Sequence, residues 1–326
     1  MAHELEIVNG EAMMAYAGDV PWHGLGTKVL PDLTPDQMLE AAGLNWEVNK
    51  IPLFAEVDGK RIKTGAEALI RSTDDKVLTI VTDTWNPCQN REAFEFFNDF
   101  VGAGDMEMYT AGSLMGGKHV WALAKIKESF ELFGGDKVEG YLLFSNPHQF
   151  GKSIDVRFTP IRVVCNNTLT LSLGANSQRI VKVNHRRQFD GDEVKQTLGI
   201  ATEKLAKYKD MAEFLGSKRY TADSIVNYFN QVFPKTSDSK KELEAANENM
   251  VVFSRAAKLA MENLNSQPGA EFAPGTWWNA YNSVTYLTDH LLGRSNDTRL
   301  YSAWYGVNQA KKVQALNLAV EMAEAA

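Results

Sequence analysis

Between Lys152 and Arg187 seven cationic side chains are opposed by one acid, Asp155: Lys152, Arg157, Arg162, Arg179, Lys182, Arg186 and Arg187. Seven minus one leaves a local +6 in a chain whose net charge is −7. Charge segregated in this way is what a reader of backbone phosphates needs, because each ammonium or guanidinium on a phosphate releases condensed counterions. Lys152, Arg157, Arg162, Lys182, Arg186 and Arg187 are the expected phosphate contacts. Asn166, Asn167 and His185 bring amide and ring groups that hydrogen-bond backbone or base edges, and Trp22 brings a face on which a base can stack. Each feature also has a plainer reading. A charge run is often a solvated loop, or here a pairing surface for the acids of the C-terminal helices. Trp22, in Pro21-Trp-His-Gly-Leu-Gly26, is also suited to plugging the edge of a core while Gly24 and Gly26 turn the chain.

Bond-making chemistry finds no such foothold. Gly151-Lys152-Ser153 follows the apolar run Tyr141–Phe144, but the position where a phosphate-binding loop needs its first glycine is Asn146. A helix should follow such a loop so that its N-terminus faces the phosphates; the alternation of Ile154, Val156 and Phe158 with Asp155 and Arg157 predicts a strand instead. The six histidines, His3, His23, His119, His148, His185 and His290, lie singly and none is four residues from another. Zinc sites usually draw close pairs of Cys or His. There is no Gly-x-Ser-x-Gly elbow. No catalytic residue, metal ligand or cofactor is assigned, and a protein that is not an enzyme is expected.

The elements that must carry the basic window divide into a sheet-rich front, 1–190, and a helical back, 191–326, expected to form one compact unit. Residues 1 to about 34 read as an irregular arm. Thr34-Pro35-Asp36 starts a short helix, with Thr34 as cap and Pro35 in the first turn, and Gly43 ends it. Asp58-Gly59 marks a hairpin turn, and Ala68–Arg71 with Val77–Thr82 a second hairpin. Gln89–Val101 reads as one helix with an aromatic face packed on that sheet. Strand character returns at Met106–Thr110, Lys118–Lys127, Val138–Ser145 and Ser153–Cys165, although Pro160 argues against an unbroken strand there. Helical spacing then covers Val194–Phe214, Ala222–Phe233, Lys240–Asn263, Trp277–Leu292 and Tyr301–Ala325, with Asn279 and Asn282 expected on an exposed face. Strands followed by helices predict an α+β fold: an antiparallel or mixed sheet in the N-terminal half packed with a helical C-terminal region. Two distant cysteines, Cys88 and Cys165, fit a reducing compartment. With no run of about 18 apolar residues and no export-like N-terminus, the expected location is the cytoplasm, with no membrane contact.

Several of these stretches carry a family resemblance. Trp22-His23-Gly24-Leu25-Gly26, Asn86-Pro-Cys-Gln-Asn90-Arg-Glu-Ala-Phe94 and Pro160-Ile-Arg162-Val-Val-Cys165-Asn166-Asn167-Thr168-Leu169 resemble, in order, the family of unknown function 932. Trp278–Val284, Asp289-His290 and Trp304-Tyr305-Gly306 are similar too, so the resemblance spans nearly the whole chain. Where the family would read Arg-His-Thr, this sequence has Asn184-His185-Arg186-Arg187, which makes it more basic. Members are typically encoded by phages and plasmids. The resemblance implies work in replication, recombination or conflict with the host, inside the host cytoplasm, without naming a mechanism.

Together with the basic window, this context predicts a homo-oligomer that binds single-stranded nucleic acid and anneals strands by neutralising their repulsion. The comparison with phage annealing proteins is one of fold-level analogy. The alternative is a protein-interaction module, such as an inhibitor of a host defence enzyme, that presents its acidic C-terminal helices to a basic host protein. A metal-dependent nuclease ranks third, for want of converging carboxylates.

Overall fold

The computed structural model describes residues 5–18, 21, 24–162, 167–168, 180–198, 201–234, 253–293 and 302–325, with only the backbone described at 162, 167–168, 180, 197–198 and 201–205. Its architecture is α+β, with a mixed sheet in the N-terminal half and helices in the C-terminal region. Two compact units share the chain: residues 1–127, 140–158 and 178–201 form the first, and 128–139, 159–177 and 202–326 the second.

The chain opens with short strands β1 (Ile7–Val8), β2 (Glu11–Ala12), β3 (Met14–Ala17) and β4 (Thr27–Val29). This is the first departure from expectation, since an irregular arm was predicted here. All four residues of β3 are buried. The strand pairs parallel to β4 on one side and antiparallel on the other to a later strand, 106–114. Helix α1 (Pro35–Ala41) begins as expected at Thr34, whose hydroxyl accepts from the Gln37 amide while the Gln37 side chain accepts from the Thr34 amide.

Strands β5 (Val48–Val57), β6 (Lys60–Arg71) and β7 (Val77–Thr82) then form a separate three-stranded antiparallel meander. Its first turn, Asp58-Gly59, has positive φ at both residues (50° and 75°), the conformation that lets a two-residue turn follow the twist of the strands. The predicted aromatic helix is two helices, α2 (Asn90–Glu95) and α3 (Asn98–Gly102), broken at Phe96-Phe97. Its rings pack against Phe144 and not on the meander: Phe96 lies 5.3 Å and Phe97 6.3 Å from that ring, centroid to centroid.

Phe144 belongs to the larger sheet. Strands β8 (Met106–Leu114), β9 (His119–Leu132), β10 (Asp136–Pro147), β11 (Ile154–Arg162) and β12 (Asn167–Thr168) continue from β3 and β4 in the order β12-β11-β10-β9-β8-β3-β4, and β13 (Ile180–Val183) also pairs with β11. Strand β11 runs unbroken through Pro160. Helix α4 (Gly191–Leu198) closes the first unit.

In the second unit the described helices are α5 (Ala201–Ser217), α6 (Ala222–Val232), α7 (Arg255–Asn263), α8 (Trp277–Tyr286) and α9 (Val307–Glu324). Helix α8 is buried from Trp277 to Thr285, which corrects the expected exposure of Asn279 and Asn282. Gln267 donates to the Asn279 side chain at 3.0 Å, and Asn282 donates to the Trp278 carbonyl at 2.9 Å, so both amides are accommodated inside. Helix α8 widens into a π turn, Leu287–Leu291. Among the described residues no helix is long and apolar enough to cross a membrane.

Candidate nucleic-acid interface

The register of one strand pair decides where the basic window goes. Strands β11 and β13 are antiparallel, with Ile154 opposite Val183, Asp155 opposite Lys182, Val156 opposite Val181 and Arg157 opposite Ile180. Past the Ile154–Val183 end of this ladder lie Lys152 on one strand and the turn 184–187 on the other, while Lys182 sits one residue inside it. Four cations, Lys152, Lys182, Arg186 and Arg187, are therefore gathered at one end of the ladder, and all four are exposed. Two local bonds shape the turns that present them. The Lys152 amide donates to the Gln149 carbonyl at 3.2 Å, and the Arg186 amide donates to the Asn184 side chain at 3.0 Å.

One residue at this end was missed by sequence reasoning. Phe150, two positions before Lys152, is 61% exposed. An isolated aromatic in a polar loop leaves no periodic signal, so only the fold reveals that its ring faces solvent. Arg187 carries a tether as well, an ion pair with Glu193 at 2.9 Å, and both side chains of that pair are about half exposed.

Other expected contacts do not join this group. Arg157 is buried and paired with Asp155 at 2.8 Å. Burial raises the Asp155 carboxyl, while Arg157 and Lys182 pull it back. Arg157 thus serves the sheet and is not offered to solvent. The signal was present in the sequence, since residues two apart on a strand share a face. Arg162 ends β11 in the second unit, with its backbone opposite Asn167 of β12. The side chains of Arg162 and Asn167, and the whole of Trp22 and Asn166, lie outside the described residues.

His185 lies in the 184–187 turn but its side chain is turned inward. It is 3% exposed, stacked on Trp85 with ring centroids 4.0 Å apart. Its Nδ1 sits 2.9 Å from the Asn86 carbonyl oxygen, and the Asn86 amide donates to the His185 carbonyl at 2.6 Å. Burial lowers its pKa, opposed by backbone hydrogen bonds. The same segment, 85–90, holds the other cation-bearing strand end. Asn146 donates to the Cys88 carbonyl at 2.9 Å, and His148 Nε2 lies 3.0 Å from Asn90 Oδ1. Asn90 in turn donates through Nδ2 to the carbonyls of Leu44 and Trp46. The stretch Asn86–Asn90 therefore fixes both the 146–152 loop and the 184–187 turn. Burial, with Glu92 nearby, pushes the Cys88 thiol well up, which leaves it a protonated packing group and a poor nucleophile. Among the described residues no group of three or more His, Cys, Asp or Glu is placed to hold a metal ion.

The exposed ammonium and guanidinium groups at this end can pair with anionic groups such as phosphates. No curated protein and no solved structure matches the chain. The family model of the domain of unknown function DUF932 matches residues 77–304, which takes in Asn86–Asn90, both cation-bearing segments and helix α8. With well over half of its length matched, the chain belongs to the DUF932 family.

Proposed function

We propose that this protein binds single-stranded nucleic acid at the exposed end of the β11–β13 ladder. The observation that carries the reading is the grouping of Lys152, Lys182, Arg186 and Arg187, all exposed, at one end of the β11–β13 ladder, with the exposed Phe150 two residues before Lys152. Cations that track phosphates, together with an aromatic ring that stacks a base, form the minimal sequence-tolerant site for a single strand. Duplex DNA hides its base faces, so the exposed ring favours unpaired strands. Such a site shields the repulsion between two strands without bond chemistry, which fits strand annealing in the replication or recombination of a phage or other mobile element.

The test is fluorescence anisotropy of a labelled single-stranded oligonucleotide at low salt. The wild-type protein should bind. Lys152→Ala/Lys182→Ala/Arg186→Ala should weaken binding at least tenfold, and Phe150→Ala by roughly fivefold or more, the range of a lost base–aromatic stack. These four side chains are exposed, so the variants should fold, which circular dichroism checks. No binding by the wild type, or unchanged affinity in the folded triple variant, would remove the proposal.

A further inference from the structure

The β5–β6–β7 meander has one face on which branched aliphatic side chains stand about half exposed among the described residues. Directly opposed residues in antiparallel strands share a face, and the register pairs Ile51 with Ala68, Ala68 with Ile80, Ile70 with Val77, Ala55 with Ile62 and Val57 with Lys60. The alternate set, Val48, Leu69 and Val81, is buried and forms the inner face. On the outer face Ile51, Val57, Ile62, Val77 and Ile80 are each between 46% and 55% exposed. Lys60, beside the Asp58-Gly59 tip, is the one charged residue in that register. Asp58 lies in the turn itself, and Glu56, Arg61 and Lys63 fall on the opposite side, where Arg61 covers the Phe54 ring at 4.5 Å. A contiguous aliphatic sheet face of this kind marks an interaction surface.

We infer that this face pairs with the same face of a second copy, the two meanders running antiparallel about a two-fold axis. Charge complementarity selects that arrangement. Lys60 stands at the tip, and the exposed Asp75 stands in the β6–β7 turn at the other end of the same sheet, where its neighbour Asp74 is already paired with Arg71 at 2.6 Å. Antiparallel stacking sets the tip of each copy over the acidic turn of the other, and a two-fold axis makes both contacts at once. A nucleic-acid strand would have no use for a face of five branched aliphatic side chains. The extent of the face sets the affinity class. Ten residues of β5 at about 3.3 Å each, across two to three strands about 4.8 Å apart, give about 400 Å² per copy. That is about half of what a partner contributes to a standard stable interface, so a weak, concentration-dependent dimer is expected. The inference is independent of the nucleic-acid reading, because none of the cations at the β11–β13 end lies on this face.

Sedimentation velocity from about 1 to 100 µM, without nucleic acid, tests it. The wild type should shift from monomer to dimer across that range, and Ile80→Asp should stay monomeric. Lys60→Glu and Asp75→Lys should each weaken association severalfold, and the two changes combined should restore it. A wild type monomeric at 100 µM overturns the proposal, as does an Ile80→Asp variant that associates as well as the wild type. Failure of the combined charge swap to restore association overturns the antiparallel arrangement. Hydrogen exchange on the unaltered protein supplies a readout that no folding defect can confuse. Amides of 48–57 and 66–82 should gain protection as concentration rises, and equal exchange at both extremes refutes the dimer.

Discussion

Two histidines in the first unit are kept neutral by where they sit. His148 is fully buried, and its tautomer follows from its partner: Asn90 Nδ2 already donates to two backbone carbonyls, so Asn90 Oδ1 must accept, and His148 Nε2 carries the proton. A second proton would go to Nδ1, which is buried with no hydrogen-bond partner. Burial, with His185 and His119 nearby, brings the His148 pKa down to about 3, and burial with Lys152 and Arg157 nearby does the same for His119. Unfolded, each would titrate near 6.5. Below that value the unfolded chain takes up protons that the native chain refuses, so stability falls with pH from about 6.5 toward 3. Each histidine contributes roughly 1 kcal/mol per pH unit in that window. Above 6.5 both states are neutral and the effect is gone. His148→Gln should therefore flatten the dependence of melting temperature on pH between 6.5 and 4, measured by differential scanning calorimetry. A slope identical to that of the wild type would mean that His148 is protonated in the native state. Since His148 and His185 anchor the two segments that bear the cations, acid should also loosen the proposed interface before it disturbs the cations themselves.

At the scale of elements, the π turn that ends α8 carries a buried ion pair. Asp289, within the widened turn, and Lys312 of α9 form an ion pair at 2.7 Å with both side chains almost wholly buried. Asn308, also on α9, donates to the Thr288 carbonyl at 2.7 Å and so engages a backbone group within the widened turn. Removing one partner from such a pair leaves a charge in a place water does not reach. Lys312→Met should destabilise the protein by about 3–5 kcal/mol, and Asp289→Leu/Lys312→Met should recover part of that loss. Urea unfolding followed by circular dichroism and tryptophan fluorescence checks it. A single variant as stable as the wild type would show that Lys312 is not what neutralises Asp289. Neither the π turn nor this pairing was legible in the sequence, because 289 and 312 are joined only by packing. Where local chemistry decides, the sequence was readable: Thr34 and Gln37 reciprocate as a capping box, and Asp58-Gly59 makes the expected turn. Strand β3 escaped because Met14-Ala-Tyr-Ala17 is buried on both faces and so lacks alternation. Asn279 and Asn282 escaped because polar residues are assigned to the wet side of a helix, and α8 has none. In the candidate site, composition alone found the cations. Which of them face solvent was not legible there: Lys182 and Arg157 share the face of Asp155 in the β11–β13 register, yet Lys182 is exposed while Arg157 is buried against that carboxylate.

At the scale of the whole molecule, the proposed interface works against the chain's own charge. The net charge is −7, and without Lys152, Lys182, Arg186 and Arg187 the rest of the chain would stand at −7 − 4 = −11. A polyanion is repelled by most of this surface and held at one end, so affinity must come from local counterion release. That release has a slope. For a single strand the logarithm of the association constant falls with the logarithm of salt by about 0.7 per phosphate neutralised. Four contacts give a slope of about −3. Arg187 first has to leave Glu193, but an exposed pair of this kind is worth only about 1 kcal/mol or less. The slope should drop to about −1 in Lys152→Ala/Lys182→Ala/Arg186→Ala, measured by anisotropy between about 20 and 200 mM salt. A slope near zero in the wild type would mean that stacking and hydrogen bonds do the binding and that the cations are solvated bystanders. If the apolar face of the meander joins two copies, a strand long enough to reach both cation ends would engage eight contacts. Its slope should then approach about −6 at protein concentrations that favour the dimer, and return to about −3 in Ile80→Asp. A steep slope in that monomeric variant would instead assign further phosphate contacts to a single chain.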